Sequence, residues 1–73
     1  MSVAPRMGRV AKVSGNMVSV EIDAHVVQNE VAFVERGQER LKAEVIRVRG
    51  ARAEMQVYET TAGVRVGDPV VFT

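Results

Sequence analysis

His25 is the only histidine of this 73-residue chain, which contains no cysteine. Histidine and cysteine supply most ligands of zinc and other transition metals, so the sequence offers no set of residues for such a site. His25 is also the one imidazole available for base catalysis, with Asp23 two residues away. That spacing is ordinary for a solvated surface loop, and we predict no catalytic and no metal-binding residue.

The acidic residues are dispersed along the chain. Six glutamates fall on different predicted strands and turns, four of them within two residues of an arginine or a lysine: Glu30, Glu35, Glu39, Glu44, Glu54 and Glu59. A solvated, salt-bridged exterior explains this distribution, and nothing in the spacing supports acid/base work by any two of them. The phosphate-binding pattern G-x-x-x-x-G-K-[ST] does not occur. We therefore expect this chain by itself to be no enzyme and to hold no cofactor.

A basic cluster flanks the turn at Gly50, where Arg47, Arg49 and Arg52 lie close together. The preceding turn and strand add Arg36, Arg40 and Lys42. Such a cluster could follow a phosphate backbone, so a small barrel that binds single-stranded nucleic acid stays open as an alternative. Binders of single strands also stack bases on aromatic side chains, and Tyr58 is the only plausible exposed one. The formal net charge of +1 gives no dense positive field, which favours a protein partner over nucleic acid.

The outward-facing positions of the two strands around this turn form the candidate protein interface. Neighbouring domains must meet through exposed side chains, although a merely solvated face would show the same pattern. The candidate residues are Arg47, Arg49, Arg52, Glu54, Gln56 and Tyr58.

Alternation of apolar and polar residues indicates the strands that position these side chains. Ala53, Met55 and Val57 share one face of a predicted strand, while arginine, glutamate and glutamine occupy the other. Hydrophobic residues make up 47% of the sequence, many of them valine, and this composition favours strands over helices. Glycine-containing turns help to divide the chain into six predicted strands, at residues 7–13, 17–22, 30–35, 40–49, 52–58 and 69–73.

Six short strands joined by glycine turns predict an all-β fold, a single closed six-stranded antiparallel β-barrel over residues 1–73. The inward parity changes near Val45, which fits either a β-bulge or a strand that is covered on both faces. Residues 60–64 lack alternation and are predicted to form a loop or a single helical turn capped by Thr60 or Thr61. No apolar run approaches the roughly 20 residues of a membrane span, so we expect a soluble, cytoplasmic protein.

Residues 41–50 and 55–71 carry a familiar pattern, most specifically in Gln56-Val57-Tyr58-Glu59 followed by Gly67-x-Pro69-Val70. This string resembles the N-terminal barrel of the catalytic A subunit of V-type and A-type rotary ATPases, and residues 8–15 resemble the first strand and turn of the same barrel. The sequence departs from the family pattern at Ala43, where a glycine is usual, and at Ala51, where the turn usually carries an aspartate.

The resemblance implies an assembly role. Barrels of three A and three B subunits form a crown at the membrane-distal end of the family's hexameric head, in a peripheral sector of a membrane-attached complex. The partners implied are neighbouring A and B subunits, with no nucleic acid and no direct membrane contact. Mg-ATP would bind in a nucleotide-binding domain of a longer parent protein, which hydrolyses or synthesises ATP coupled to ion transport, and we expect this chain to be a fragment of it. The equivalent barrel of a B subunit or of a flagellar or secretion ATPase is the alternative within the wider family.

Overall fold

Six β-strands form the regular structure of the computed structural model, which describes residues 6–23 and 25–73. They are β1 (Met7–Ser14), β2 (Met17–Ile22), β3 (Val31–Arg36), β4 (Glu39–Arg49), β5 (Arg52–Val57) and β6 (Pro69–Phe72). Each begins and ends within one residue of its predicted bounds. The alternation was informative because every strand turns one row of side chains into the core and the other row outward, where side chains are exposed or half-buried.

The strands close into a barrel in the order β1-β2-β5-β4-β3-β6, and every neighbouring pair is antiparallel. The predicted closed six-stranded barrel is therefore confirmed. Closure depends on β6, which pairs with β1 on one side and with β3 on the other. In this order β5 and β6 lie on opposite sides of the barrel, so the outer surface divides into a β2–β5–β4 side and a β1–β6–β3 side.

The inward rows consist of aliphatic side chains with few aromatic rings. Ala53, Met55 and Val57 all point inward, as predicted, and are at most 1% exposed. The buried apolar residues of the described chain are Val10, Val18, Val20, Ile22, Val26, Ala32, Val34, Leu41, Ala43, Val45, Ala53, Met55, Val57, Val70 and Phe72. Small and β-branched side chains suit the narrow interior of a six-stranded barrel, where large rings would not fit in every layer.

Two β-bulges interrupt the ladders. In β4 the pairing with β5 shifts between Val45 and Arg47, so Ile46 is the extra residue and is 38% exposed. Of the two alternatives that the change of parity near Val45 left open, the structure shows the bulge and not a strand that is covered on both faces. The second bulge lies in β1, where the pairing with β2 shifts between Val10 and Lys12. Each bulge sharpens the bend of its strand, which helps so small a sheet to close.

The hairpin turns place glycine in the left-handed region, with φ of 60° at Gly15 and 53° at Gly50, a backbone that glycine adopts without strain. Residues 60–64 form the predicted loop and no helical turn. There Thr60 Oγ1 accepts a hydrogen bond from the Ala62 N–H at 3.2 Å, while the Val64 N–H donates to the Thr61 carbonyl at 2.9 Å. No helix that could cross a membrane was found over residues 6–23 and 25–73.

Candidate interaction surface

The outer surface of β2, β5 and β4, called the polar face below, carries side chains in rows that cross the strands. Cross-strand pairing defines three rows: Glu21, Arg52 and Arg49; Ser19, Glu54 and Arg47; Met17, Gln56 and Glu44. Five of the six residues predicted for an interface lie in these rows, and the sixth, Tyr58, follows β5 directly. The structure thus brings the predicted set together on one continuous surface.

Two of these six residues are held by neighbours within the chain. Ser19 Oγ donates a hydrogen bond to Glu54 Oε2 at 2.6 Å, and the Tyr58 hydroxyl donates to Glu44 Oε1 at 2.9 Å. The hydrogen bond to the Glu44 carboxylate, together with some desolvation, raises the pKa of the Tyr58 phenol above its ordinary value. The Tyr58 hydroxyl thus acts as the donor to Glu44, and the residue is 54% exposed.

The remaining four residues, Arg47, Arg49, Arg52 and Gln56, are exposed. No side-chain hydrogen bond within the described residues fixes them, in contrast to Glu54 and Tyr58. They are therefore available for contacts outside the chain.

A second polar cluster lies at the end of the barrel where β1 begins and β6 ends. The Arg6 guanidinium contacts both carboxylate oxygens of Glu30, at 2.5 and 3.0 Å, and donates to the carbonyl oxygens of His25 at 2.7 Å and Thr73 at 2.6 Å. Glu30 also accepts a hydrogen bond from the Val27 N–H at 2.7 Å. The Arg6 hydrogen bond, followed by that from Val27, lowers the pKa of Glu30 below its ordinary value. This cluster joins three segments to one another: Arg6, which precedes β1, the loop before β3, and Thr73, which follows β6.

Arg36 performs a similar task at the opposite end of the barrel. Its Nη1 donates to the carbonyl oxygens of Ala62 at 2.7 Å and Thr60 at 3.3 Å, and its Nη2 lies 2.7 Å from Glu39 Oε1. Thr61 Oγ1 adds a hydrogen bond to the Gly15 carbonyl at 2.5 Å. The loop between β5 and β6 is therefore fastened to two hairpin turns. The sequence placed Arg36 only in the wider basic cluster and did not single out Arg6, because most partners of these two residues lie 19 to 67 positions away.

The β1–β6–β3 side of the barrel, opposite the polar face, presents an apolar row that the sequence reasoning also missed. Val71 pairs with Met7 on one side and with Phe33 on the other, and all three point outward. Met7 is 42% exposed. Each of the three residues occupies an outward position of its predicted strand, so the alternation along these strands could have revealed the apolar row. The exterior therefore has two chemically different sides.

His25 and Asp23 are both exposed and show no side-chain contact with each other among the described residues. No group of three potential metal ligands occurs in the described ranges. Glu35 and Glu39 fit the predicted salt-bridged exterior, since Glu35 pairs with Arg40 at 3.2 Å and Glu39 pairs with Arg36. Such exposed pairs contribute about 0 to 1 kcal/mol each. Glu44 and Glu54 accept hydrogen bonds from hydroxyl groups instead, and the Glu30 side chain is only 14% exposed.

Comparison with known proteins gives a consistent result. The family model described as the ATP synthase alpha/beta family, beta-barrel domain, matches residues 10–73. V-type ATP synthase alpha chains from Treponema denticola and Borreliella afzelii are 52% and 53% identical over 66 residues, and alpha chain 1 from Treponema pallidum is 58% identical over the same length. The matches cover 90% of this chain but only 11 to 12% of these relatives.

Proposed function

Since the chain belongs to the ATP synthase alpha/beta family, as its β-barrel domain, we propose that it is an assembly module of a V-type ATP synthase alpha chain, the catalytic component of the rotary head. In this proposal the barrel packs against barrels of neighbouring A and B subunits in the membrane-distal crown of the hexamer. Binding of Mg-ATP, and its hydrolysis or synthesis coupled to ion transport, would belong to parts of a longer protein outside this chain. The head that contains the barrel would lie on the cytoplasmic side, as a peripheral sector of a membrane-attached complex.

The observation that carries the proposal is the match of residues 10–73 to the barrel domain of this family, together with relatives that are alpha chains. The exterior adds a physical argument. A ring needs two different faces on every member, because each contact is heterologous and joins one face to another. The polar face and the apolar row of Met7, Val71 and Phe33 lie on opposite sides of the barrel, as such a ring requires.

A module that binds single-stranded nucleic acid receives less support. Base stacking on exposed rings supplies about 1 to 3 kcal/mol per base in such proteins. On the polar face, Tyr58 is the one aromatic residue among those described, and its hydroxyl is held by the Glu44 carboxylate. A negatively charged backbone approaching this ring would meet a like charge.

A chimeric alpha chain tests the assembly role. The barrel described here would replace the matching 66 residues of the Treponema denticola alpha chain, and the chimera would be co-expressed with the beta chain of that organism. We expect alternating hexamers by native mass spectrometry with the barrel present, and their loss when the segment is deleted. Hexamers that form equally well without any barrel would overturn the proposal.

A further inference from the structure

The three arginines around the β4–β5 turn, Arg47, Arg49 and Arg52, are called the basic hairpin below. All three are exposed, and none lies within 4.0 Å of a carboxylate oxygen of the described residues. Arg6 and Arg36, by contrast, each combine an ion pair with hydrogen bonds to main-chain carbonyls. The basic hairpin thus concentrates guanidinium groups that have no acid partner among the described residues.

The strand register places like charges opposite each other. Arg49 and Arg52 are direct cross-strand partners at the turn, an arrangement that opposes hairpin formation. Arg47 faces Glu54, but that carboxylate accepts the hydrogen bond from Ser19 Oγ and is beyond ion-pair distance. Glu21 pairs with the other side of Arg52 and is likewise beyond 4.0 Å. Neither of these nearby carboxylates forms an ion pair with the three guanidinium groups. The guanidinium groups are therefore free to form bidentate pairs with carboxylates outside the chain.

An apolar side chain accompanies this charge. The bulge in β4 makes Ile46 an extra residue next to Arg47, where it is 38% exposed. Arginine beside a small apolar contact is a common composition of protein interfaces, while lysine and glutamate are depleted there. A surface that binds single-stranded nucleic acid is expected to carry an aromatic side chain here, on which a base can stack, and the basic hairpin has none.

We propose that the basic hairpin docks on an acidic surface of a neighbouring subunit, where aspartate or glutamate carboxylates pair with Arg47, Arg49 and Arg52 around a contact made by Ile46. The inference rests on the proposed assembly role and names the chemistry of one of its contacts. It also divides the polar face into two parts. The basic hairpin recognises the partner, whereas Glu54 and Tyr58, held by Ser19 and Glu44, shape the surface beside it.

The test uses two double variants of the chimera that change the net charge equally. Arg49→Gln with Arg52→Gln alters the basic hairpin. Lys12→Gln with Arg65→Gln alters exposed positions outside the polar face, whose side chains donate no hydrogen bond within the described residues. We expect the hairpin variant to weaken hexamer assembly tenfold or more on dilution, with a smaller dependence on salt than the unsubstituted chimera. The control variant should assemble within about twofold of the unsubstituted chimera.

Urea unfolding of the isolated barrel shows whether the hairpin variant still folds, which separates a loss of assembly from a loss of fold. The hairpin variant should unfold at the same urea concentration or a higher one, because the Arg49–Arg52 repulsion is removed. Equal assembly of hairpin and control variants would overturn this inference and leave the assembly role intact, whereas failure of the unsubstituted chimera would overturn both. Binding of a fluorescent oligothymidylate at low salt that disappears in the hairpin variant would assign the surface to nucleic acid instead.

Discussion

Gly8 shows how closely two strands of a small barrel can approach. A β-carbon at this buried position would lie 2.6 Å from the Glu21 carbonyl oxygen and 2.7 Å from Val20 Cγ1. The first of these atoms belongs to the backbone and cannot move aside as a flexible side chain could. Glycine is therefore required here for lack of space, whereas the turn glycines are required by their positive φ.

Gly8→Ala should consequently lower the free energy of unfolding by about 1 to 3 kcal/mol, the usual cost of forcing extra volume into a packed interior. Chemical denaturation followed by far-UV circular dichroism would measure the change. Gly15→Asn serves as the matched control, because a β-carbon at Gly15 meets nothing within 4 Å and asparagine tolerates the left-handed region. A Gly8→Ala barrel as stable as its parent would contradict the close approach.

The Arg6–Glu30 pair predicts a dependence on pH. The folded state lowers the pKa of Glu30, so the unfolded chain binds this proton more readily and the ionised carboxylate favours folding. The contribution is complete above the unfolded pKa of about 4.3 and is lost as the pH falls through the lower folded value. Glu30→Gln should therefore be less stable than the parent at pH 7, and the gap should close in acid. Denaturation midpoints from pH 7 to pH 2 would show this.

Glu59→Gln is the control for this prediction, since Glu59 is exposed and accepts no side-chain hydrogen bond within the described residues. Its midpoint should follow that of the parent at every pH. If the difference in denaturation midpoint between Glu30→Gln and the parent stayed constant down to pH 2, the carboxylate would stabilise the fold through its shape and not through its charge.

At the level of elements, the bulge at Ile46 reconciles two halves of β4 that have opposite parity. Leu41, Ala43 and Val45 point inward before it, and Val48 packs against the core after it. Deleting Ile46 would keep the inward residues of both halves of β4 on the same face of the strand, but it would remove the bend that the bulge produces. The barrel could then close only with strain. Ile46→Thr keeps the extra residue and changes only a partly exposed side chain.

We expect Ile46→Thr to alter the free energy of unfolding by no more than about 0.5 kcal/mol. The deletion should instead reduce stability well beyond that range and broaden the cross-peaks of β4 and β5 in an amide correlation spectrum. Equal stability of the two variants would show that the bulge is dispensable for closure.

The strands and the bulge could be predicted from sequence because both leave a local signal. Alternation marks each strand, and a change of parity at Val45 marks the bulge. The bulge in β1 was not predicted. Val10 and Val13 have opposite parity and both pack on the core, but Ala11 between them is small enough to be counted on either face. The polar face followed from the same alternation, whereas the clusters of Arg6 and Arg36 depend on distant partners that only the closed barrel brings near.

For the whole molecule, closure depends on two strand pairings, β1–β6 and β3–β6, that join residues far apart in the sequence. Met7 pairs with Val71, and Ala32 pairs with Phe72, so β6 completes the barrel from both sides. A domain of 73 residues has about 4 to 11 kcal/mol of stability in total, at about 0.05 to 0.15 kcal/mol per residue. Loss of β6 pairing would expose β1 and β3 as edges and open the core.

Val71→Pro tests this dependence on closure. Because β6 is paired on both sides, its N–H groups are all directed at a neighbouring strand, and proline removes one of them. We expect a cost of about 3 kcal/mol or more, which is a large part of the total, with an unfolded fraction and aggregates visible by size-exclusion chromatography. Val71→Thr keeps the donor at the same outward position and should cost less than about 1 kcal/mol. If Val71→Pro remained a monomer with the parent's unfolding midpoint, the barrel would not depend on being sealed by its last strand.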